Sequence, residues 1–121
     1  MIIAVLSCDQ NEDIWEPFYH CMEKYYPNHP EVIYFTESKT NPYYRTICIP
    51  HTLDRWTEGL SQFLSCIPDT SILLMVDDCF IRRPVDYDRI EDAVSIIEHE
   101  DNVALLNFEK SWHYQDEPTL Y

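Results

Sequence analysis

The chain has 121 residues, 45% hydrophobic and 14% aromatic, enough for one compact domain with a single core and too few for two. Its 22 acidic against 8 basic residues give a formal net charge of -14, which repels phosphate backbones and anionic headgroups and argues against a nucleic-acid-binding role. A single glycine, Gly59, excludes dinucleotide fingerprints and Walker loops, which need several glycines for the backbone to approach a phosphate.

The opening MIIAVLSCDQ lacks the basic start and long apolar stretch of a signal peptide. No run approaches the roughly 18 apolar residues of a membrane span, so a cytoplasmic protein is expected. Instead, Ile2 to Ser7 has strand length and breaks into the polar CDQNED, which suits a buried central strand with a loop at its carboxyl end. Asp13 is placed to cap a first helix with Glu16 at its third position. Trp15, Phe18, Tyr19, Met22 and Tyr26 then form an apolar stripe that ends at Pro27 and Pro30.

EVIYFTE, residues 31 to 37, is rich in β-branched and aromatic residues and predicts a second strand, and RTICIP predicts a short third one ended by Pro50. Trp56, Leu60, Phe63, Leu64 and Ile67 recur at helical spacing, with Thr52 or Asp54 as cap and Pro68 just beyond. Their default reading is a core-facing stripe. SILLMVDD predicts a fourth strand. Asp86 opens a third helix whose apolar face is Ile90, Ala93, Val94 and Ile97, and NVALLNFE, residues 102 to 109, predicts a fifth strand.

Strands alternating with helices in this order predict an α/β fold, a Rossmann-like three-layer α/β/α arrangement around a mostly parallel sheet. Ligands of such sheets bind beyond the carboxyl ends of the strands where the winding reverses. Two polar clusters fall at such ends: Ser7 to Asp9 after strand one, and Asp77 with Asp78 after strand four. Adjacent carboxylates at the end of an apolar strand repel one another and resist desolvation, so they call for solvent, donors or a cation. An ordinary cap after a buried strand is the plain alternative.

Other chemistry-bearing residues signal less. The five cysteines, Cys8, Cys21, Cys48, Cys66 and Cys79, are odd in number and lack a CxxC pair, so they indicate neither a disulfide framework nor a zinc site, and reduced thiols in or near the core are expected. The five histidines have no HxH or HExxH spacing. Arg55 on the first turn of helix two can reach a phosphate or pair with a nearby acid. Arg82 and Arg83 can neutralise the acid pair or clamp a diphosphate. His113, Asp116 and Glu117 near the end can supply a general base if the tail folds back, and a solvated tail is the alternative.

The segment ILLMVDDCFI, after a helix bearing DRWTEGLSQFLSCI and followed by RRPVDYDRI, resembles the nucleotide-binding half of a GT-A-fold glycosyltransferase. That resemblance implies a single GT-A-like domain over residues 1–121, lacking a full acceptor-binding half, that transfers a sugar from a nucleotide-sugar donor to a glycan or other acceptor. It also implies Mn²⁺ or Mg²⁺ held by Asp77 and Asp78, as in the family's DxD motif, with Ser7, Asp9, Arg55, Asp77 and Asp78 around the donor. Hard divalent cations favour such oxygen-rich pairs and take phosphate oxygens as further ligands. A non-catalytic α/β interaction domain that retains the fold is the alternative, followed by a receiver-like phosphotransfer domain. A half-domain would expose apolar sheet edges, and homodimerisation would cover them.

Overall fold

The computed structural model describes residues 1–106 and 108. The chain divides into two compact units, Met1–Val85 and Asp86–Tyr121. The first unit contains strands β1 (Ile2–Leu6), β2 (Val32–Thr36), β3 (Arg45–Cys48) and β4 (Ile72–Val76), with helices α1 (Trp15–Tyr25) and α2 (Trp56–Ser65). All strand pairs are parallel and the sheet order is β3-β2-β1-β4. This is a small Rossmann-like α/β fold. The chain winds outward from β1 through β2 to β3, then returns to place β4 on the other side of β1. The winding therefore reverses between β1 and β4.

The central strands explain their own sequences. The first four residues of β1 and all five of β2 are buried, as continuous apolar runs in a sheet covered on both faces should be. Alternation along β2 sends Tyr34 and Phe35 to opposite faces. Tyr34 meets α1, with Trp15 and Phe18 packed edge-on at 6.1 and 6.0 Å between ring centroids. Phe35 meets α2, stacked on Phe63 at 5.0 Å. The α2 side is a cluster of Ile2, Ala4, Ile33, Phe35, Phe63 and Ile67, residues of even number on β1 and odd number on β2, as the parallel register requires. Helices on both faces of one sheet make three layers.

The predicted stripe is buried at Trp15, Phe18 and Met22 on α1 and at Tyr26 just past its end, while Tyr19 is half-buried. Its start differs. Residues Asp9–Ile14 form a 3-10 turn, and α1 begins at Trp15 with no side-chain cap, so Asp13 does not take the capping role the sequence suggested. Pro17 falls in the first turn of α1, where its missing N–H costs no helical bond. Helix α2 likewise follows a 3-10 turn, Leu53–Arg55, and neither Thr52 nor Asp54 caps it. The Thr52 hydroxyl donates instead to Asp54 Oδ1. Trp56 does not join the core: it is 37% exposed, because the inward face of α2 is set by Gly59 and Phe63. The cysteines are free thiols, but Cys48, Cys66 and Cys79 are exposed rather than interior.

In the second unit α3 spans Tyr87–His99, and Asp86 caps it by accepting from the Arg89 backbone N–H at 3.1 Å. Ala93 is buried, with Ile90, Val94 and Ile97 half-buried on the same face. The fifth strand predicted over 102–109 is not formed among the described residues, where only Leu106 makes an isolated strand-like bridge.

Candidate site at the switch point

The register of β1 with β4 pairs Leu6 with Val76, so the residues just beyond, Ser7 and Asp77, leave the sheet side by side. The pairing continues past both ends: Ser7 N–H donates to Phe35 O and Asp77 N–H to Leu6 O. Asp77 is 1% exposed and lies on the α1 side of the sheet. The Ser7 hydroxyl donates to its Oδ2 at 2.5 Å, and the Asn11 amide to its Oδ1 at 2.8 Å. The Trp15 indole N–H donates to Ser7 Oγ at 2.9 Å. The result is a polar knot in which the first helical residue of α1, the loop after β1 and the end of β4 share hydrogen bonds.

The donors satisfy Asp77 without overcoming its burial. Desolvation raises its carboxyl above the ordinary aspartate range, the Ser7, Asn11 and Trp15 donors work against the shift, and the neighbouring Asp78 charge adds to it. Burial, together with the charge of Asp77, also pushes the nearby Tyr34 phenol up. Asp78, by contrast, is exposed. Adjacent residues leaving a strand diverge, so one acid of the pair is structural and one is accessible.

Asp9 is held differently. Its carboxylate accepts from Ser38 N–H at 3.1 Å, the Ser38 hydroxyl at 2.5 Å and Lys39 N–H at 2.9 Å, clasping the loop after β1 to the loop after β2. Its own N–H donates to Glu37 at 2.6 Å, and Lys39 pairs with Glu12 across the same gap. Partial burial works to raise the carboxyl, but the Ser38 and Lys39 donors outweigh it and hold it at about 2. The loop after β2 is itself pinned by aromatic stacking, Tyr43 on Tyr19 and Tyr44 on Tyr34 at 4.6 and 5.7 Å.

Of the residues singled out by sequence, Ser7 and Asp77 are brought into direct contact, Asp78 follows at the surface, and Asp9 stands beside them in the same loop with its carboxylate engaged. Arg55 is built into the β3–α2 connection, where it pairs with Glu58 at 2.7 Å. Arg82 and Arg83 are exposed beyond β4. His113, Asp116 and Glu117 lie outside the described residues. Asn11 and Trp15 were missed as partners of the acid. Asn11 had a signal, a polar residue in a loop at a strand's carboxyl end, whereas the indole of Trp15 reads as core and reveals its donor only in three dimensions.

Divalent cations of the Mg²⁺ type accept one or two protein carboxylates and complete their shell with water and phosphate. The site suits that mode through Asp78, since Asp77 is enclosed by its donors. Among the described residues no three His, Cys, Asp or Glu side chains gather into a cage for a metal. No protein-family model matches the chain, and no curated protein or solved structure matches it either.

Proposed function

We propose that the Met1–Val85 unit is a nucleotide-sugar donor-binding domain of the glycosyltransferase kind, with the diphosphate at the carboxyl ends of β1 and β4. The observation that carries this reading is the meeting of Ser7 and Asp77 where the sheet order reverses, with an exposed carboxylate next in the chain. Asp78 is the residue that would hold Mn²⁺ or Mg²⁺, and the bound ion would offset the charge of a leaving nucleoside diphosphate. Asp77 serves as a positioning residue. Its bonds to Ser7 and Asn11 fix the two loops between which the donor would lie. A cation would serve a second purpose: an acidic chain without a glycine-rich phosphate loop repels a diphosphate, and the exposed Arg82 and Arg83 beyond β4 offset only part of that charge.

Calorimetric titration of the intact chain with UDP and GDP, with and without Mn²⁺, tests the reading. The expected result is metal-dependent binding that Asp78→Asn abolishes and Asp77→Asn retains. Absence of binding under every condition would overturn it. A second reading, a non-catalytic interaction domain that keeps the fold, is favoured by one observation: both oxygens of Asp77 already have protein donors, which leaves the acid pair a single accessible carboxylate.

A further inference from the structure

A second constellation stands apart from the acid pair, on the connection from β3 to α2. His51 follows the end of β3, which the Ile49 N–H extends by donating to Thr36 O. Its imidazole is fixed by three contacts. The ring stacks on Phe35 at 5.0 Å with 19° between planes, and its Nδ1–H donates to Ile49 O at 2.7 Å. The edge of the ring lies against Gly59, where a Cβ would approach His51 Cγ to 3.0 Å and Nδ1 to 3.1 Å. This explains why the chain's single glycine stands inside a helix, where it costs roughly 1 kcal/mol relative to alanine. The absent side chain leaves room for the imidazole.

A carbonyl oxygen only accepts, so Nδ1 carries the proton, and in its neutral form the ring keeps Nε2 as an acceptor. The half-buried ring lines an open groove of about 510 Å³ together with Thr52, Arg55, Glu58, Gly59 and Gln62. Arg55 and Glu58 neutralise one another at 2.7 Å while retaining further donor and acceptor positions. The lining thus mixes donors from arginine, amide and hydroxyl with acceptors from imidazole and carboxylate, and carries no uncompensated charge.

We infer that this groove binds a neutral polyhydroxylated ligand, a carbohydrate. Other ligand classes fit less well. An anion would meet an arginine already paired and a chain of net charge -14. A metal would find no cluster of three ligating side chains among the described residues. An apolar molecule would cover the hydroxyl, amide, guanidinium and carboxylate groups that make up about half of the lining without returning their hydrogen bonds. Sugar hydroxyls, each both donor and acceptor, answer the whole set, and planar arginine, carboxylate, amide and imidazole groups suit their paired geometry. The inference does not depend on the donor site as proposed above, which rests on Ser7, Asn11, Asp77 and Asp78.

The test is saturation-transfer NMR of the intact chain, without nucleotide or metal, against the methyl glycosides of glucose, galactose, mannose and N-acetylglucosamine, with inorganic phosphate as the competing anion. At least one glycoside is expected to bind without displacement by phosphate. Glu58→Ala and Gln62→Ala alter exposed side chains on α2 and leave the core alone, and each is expected to weaken binding roughly tenfold, the scale of one lost hydrogen bond. Gly59→Ala pushes the imidazole from its seat and is expected to weaken binding as well. Binding of phosphate in place of sugar, binding of no glycoside, or binding indifferent to both α2 variants would overturn the inference. Because the titration contains no nucleotide, its result is independent of whether the donor site exists.

Discussion

Asp77 directly follows β4 and Asp9 lies a short way past the neighbouring β1, and their carboxyls are shifted in opposite directions. Asp77 accepts two side-chain hydrogen bonds in a site closed to solvent, and burial prevails: its proton is held more tightly than in water. Asp9 accepts three bonds, two from backbone N–H groups, in a loop that solvent still reaches, and the donors prevail. Donor count and water access together decide whether a strand-terminal acid is kept charged. The same rule separates a structural carboxylate from one available to a ligand, which is why Asp78 rather than Asp77 is the candidate contact.

The comparison breaks most readily at Asp77. Asp77→Ala removes the acceptor of the Asn11 amide and leaves the Ser7 hydroxyl only the longer contact with Cys8 O, and should lower stability by about 2 kcal/mol, since an unsatisfied group costs roughly 1–3 kcal/mol. Urea unfolding followed by circular dichroism measures it. A loss below about 1 kcal/mol would mean that water reaches the knot and that the contrast with Asp9 is not one of burial. Asp9→Ala should cost less, about 1 kcal/mol, because solvent can replace the lost donors' partner. It should also release the Ser38 and Lys39 backbone N–H groups, seen as faster amide exchange confined to the β2–β3 loop.

The central features of this arrangement were legible in the sequence because they obey local rules. The continuous apolar runs of β1 and β2 announce strands covered on both faces, the stripe from Trp15 to Tyr26 announces α1, and Asp86 announces the cap of α3. The apolar run of β4 was equally clear, and the alternation of strands and helices placed its end with that of β1 at the reversal. What was not legible depends on contacts distant in sequence. That Asp77 is buried and Asp78 exposed follows from which face of the sheet α1 covers. That Asp9 is engaged follows from the approach of Ser38 and Lys39, about thirty residues away. The 3-10 turns before α1 and α2 displaced the expected caps, because a tighter turn can satisfy the first backbone groups without a side chain. Gly59 served in the sequence only to exclude glycine-rich phosphate loops, and its contact with His51 is visible only in the structure.

The smallest expected change sharpens the comparison furthest. Asp77→Asn keeps the shape of the side chain and one acceptor for the Asn11 amide. Its new amide N–H can donate to Ser7 Oγ, leaving the Ser7 proton to turn toward Cys8 O, which Ser7 Oγ already approaches at 3.4 Å. Stability at low pH should therefore shift by less than about 1 kcal/mol, while its pH dependence changes form. A carboxyl raised in the folded state contributes stability that is full below the unfolded value, near 3.8, and is lost as pH rises through the raised value. Asp9 has the opposite sign: its contribution is full above 3.8 and is lost as pH falls through about 2. On raising the pH above 3.8, unfolding midpoints of the parent chain should decline relative to those of Asp77→Asn, so that at pH 7 the asparagine variant equals or exceeds the parent. Below about pH 3, where Asp77 is protonated in both folded and unfolded states, the acid limb should be the same in both chains, because Asp9 is untouched. A variant that tracked its parent across the whole range would mean that Asp77 is charged at little cost, with the Ser7, Asn11 and Trp15 donors sufficient to offset its burial as the Ser38 and Lys39 donors do for Asp9.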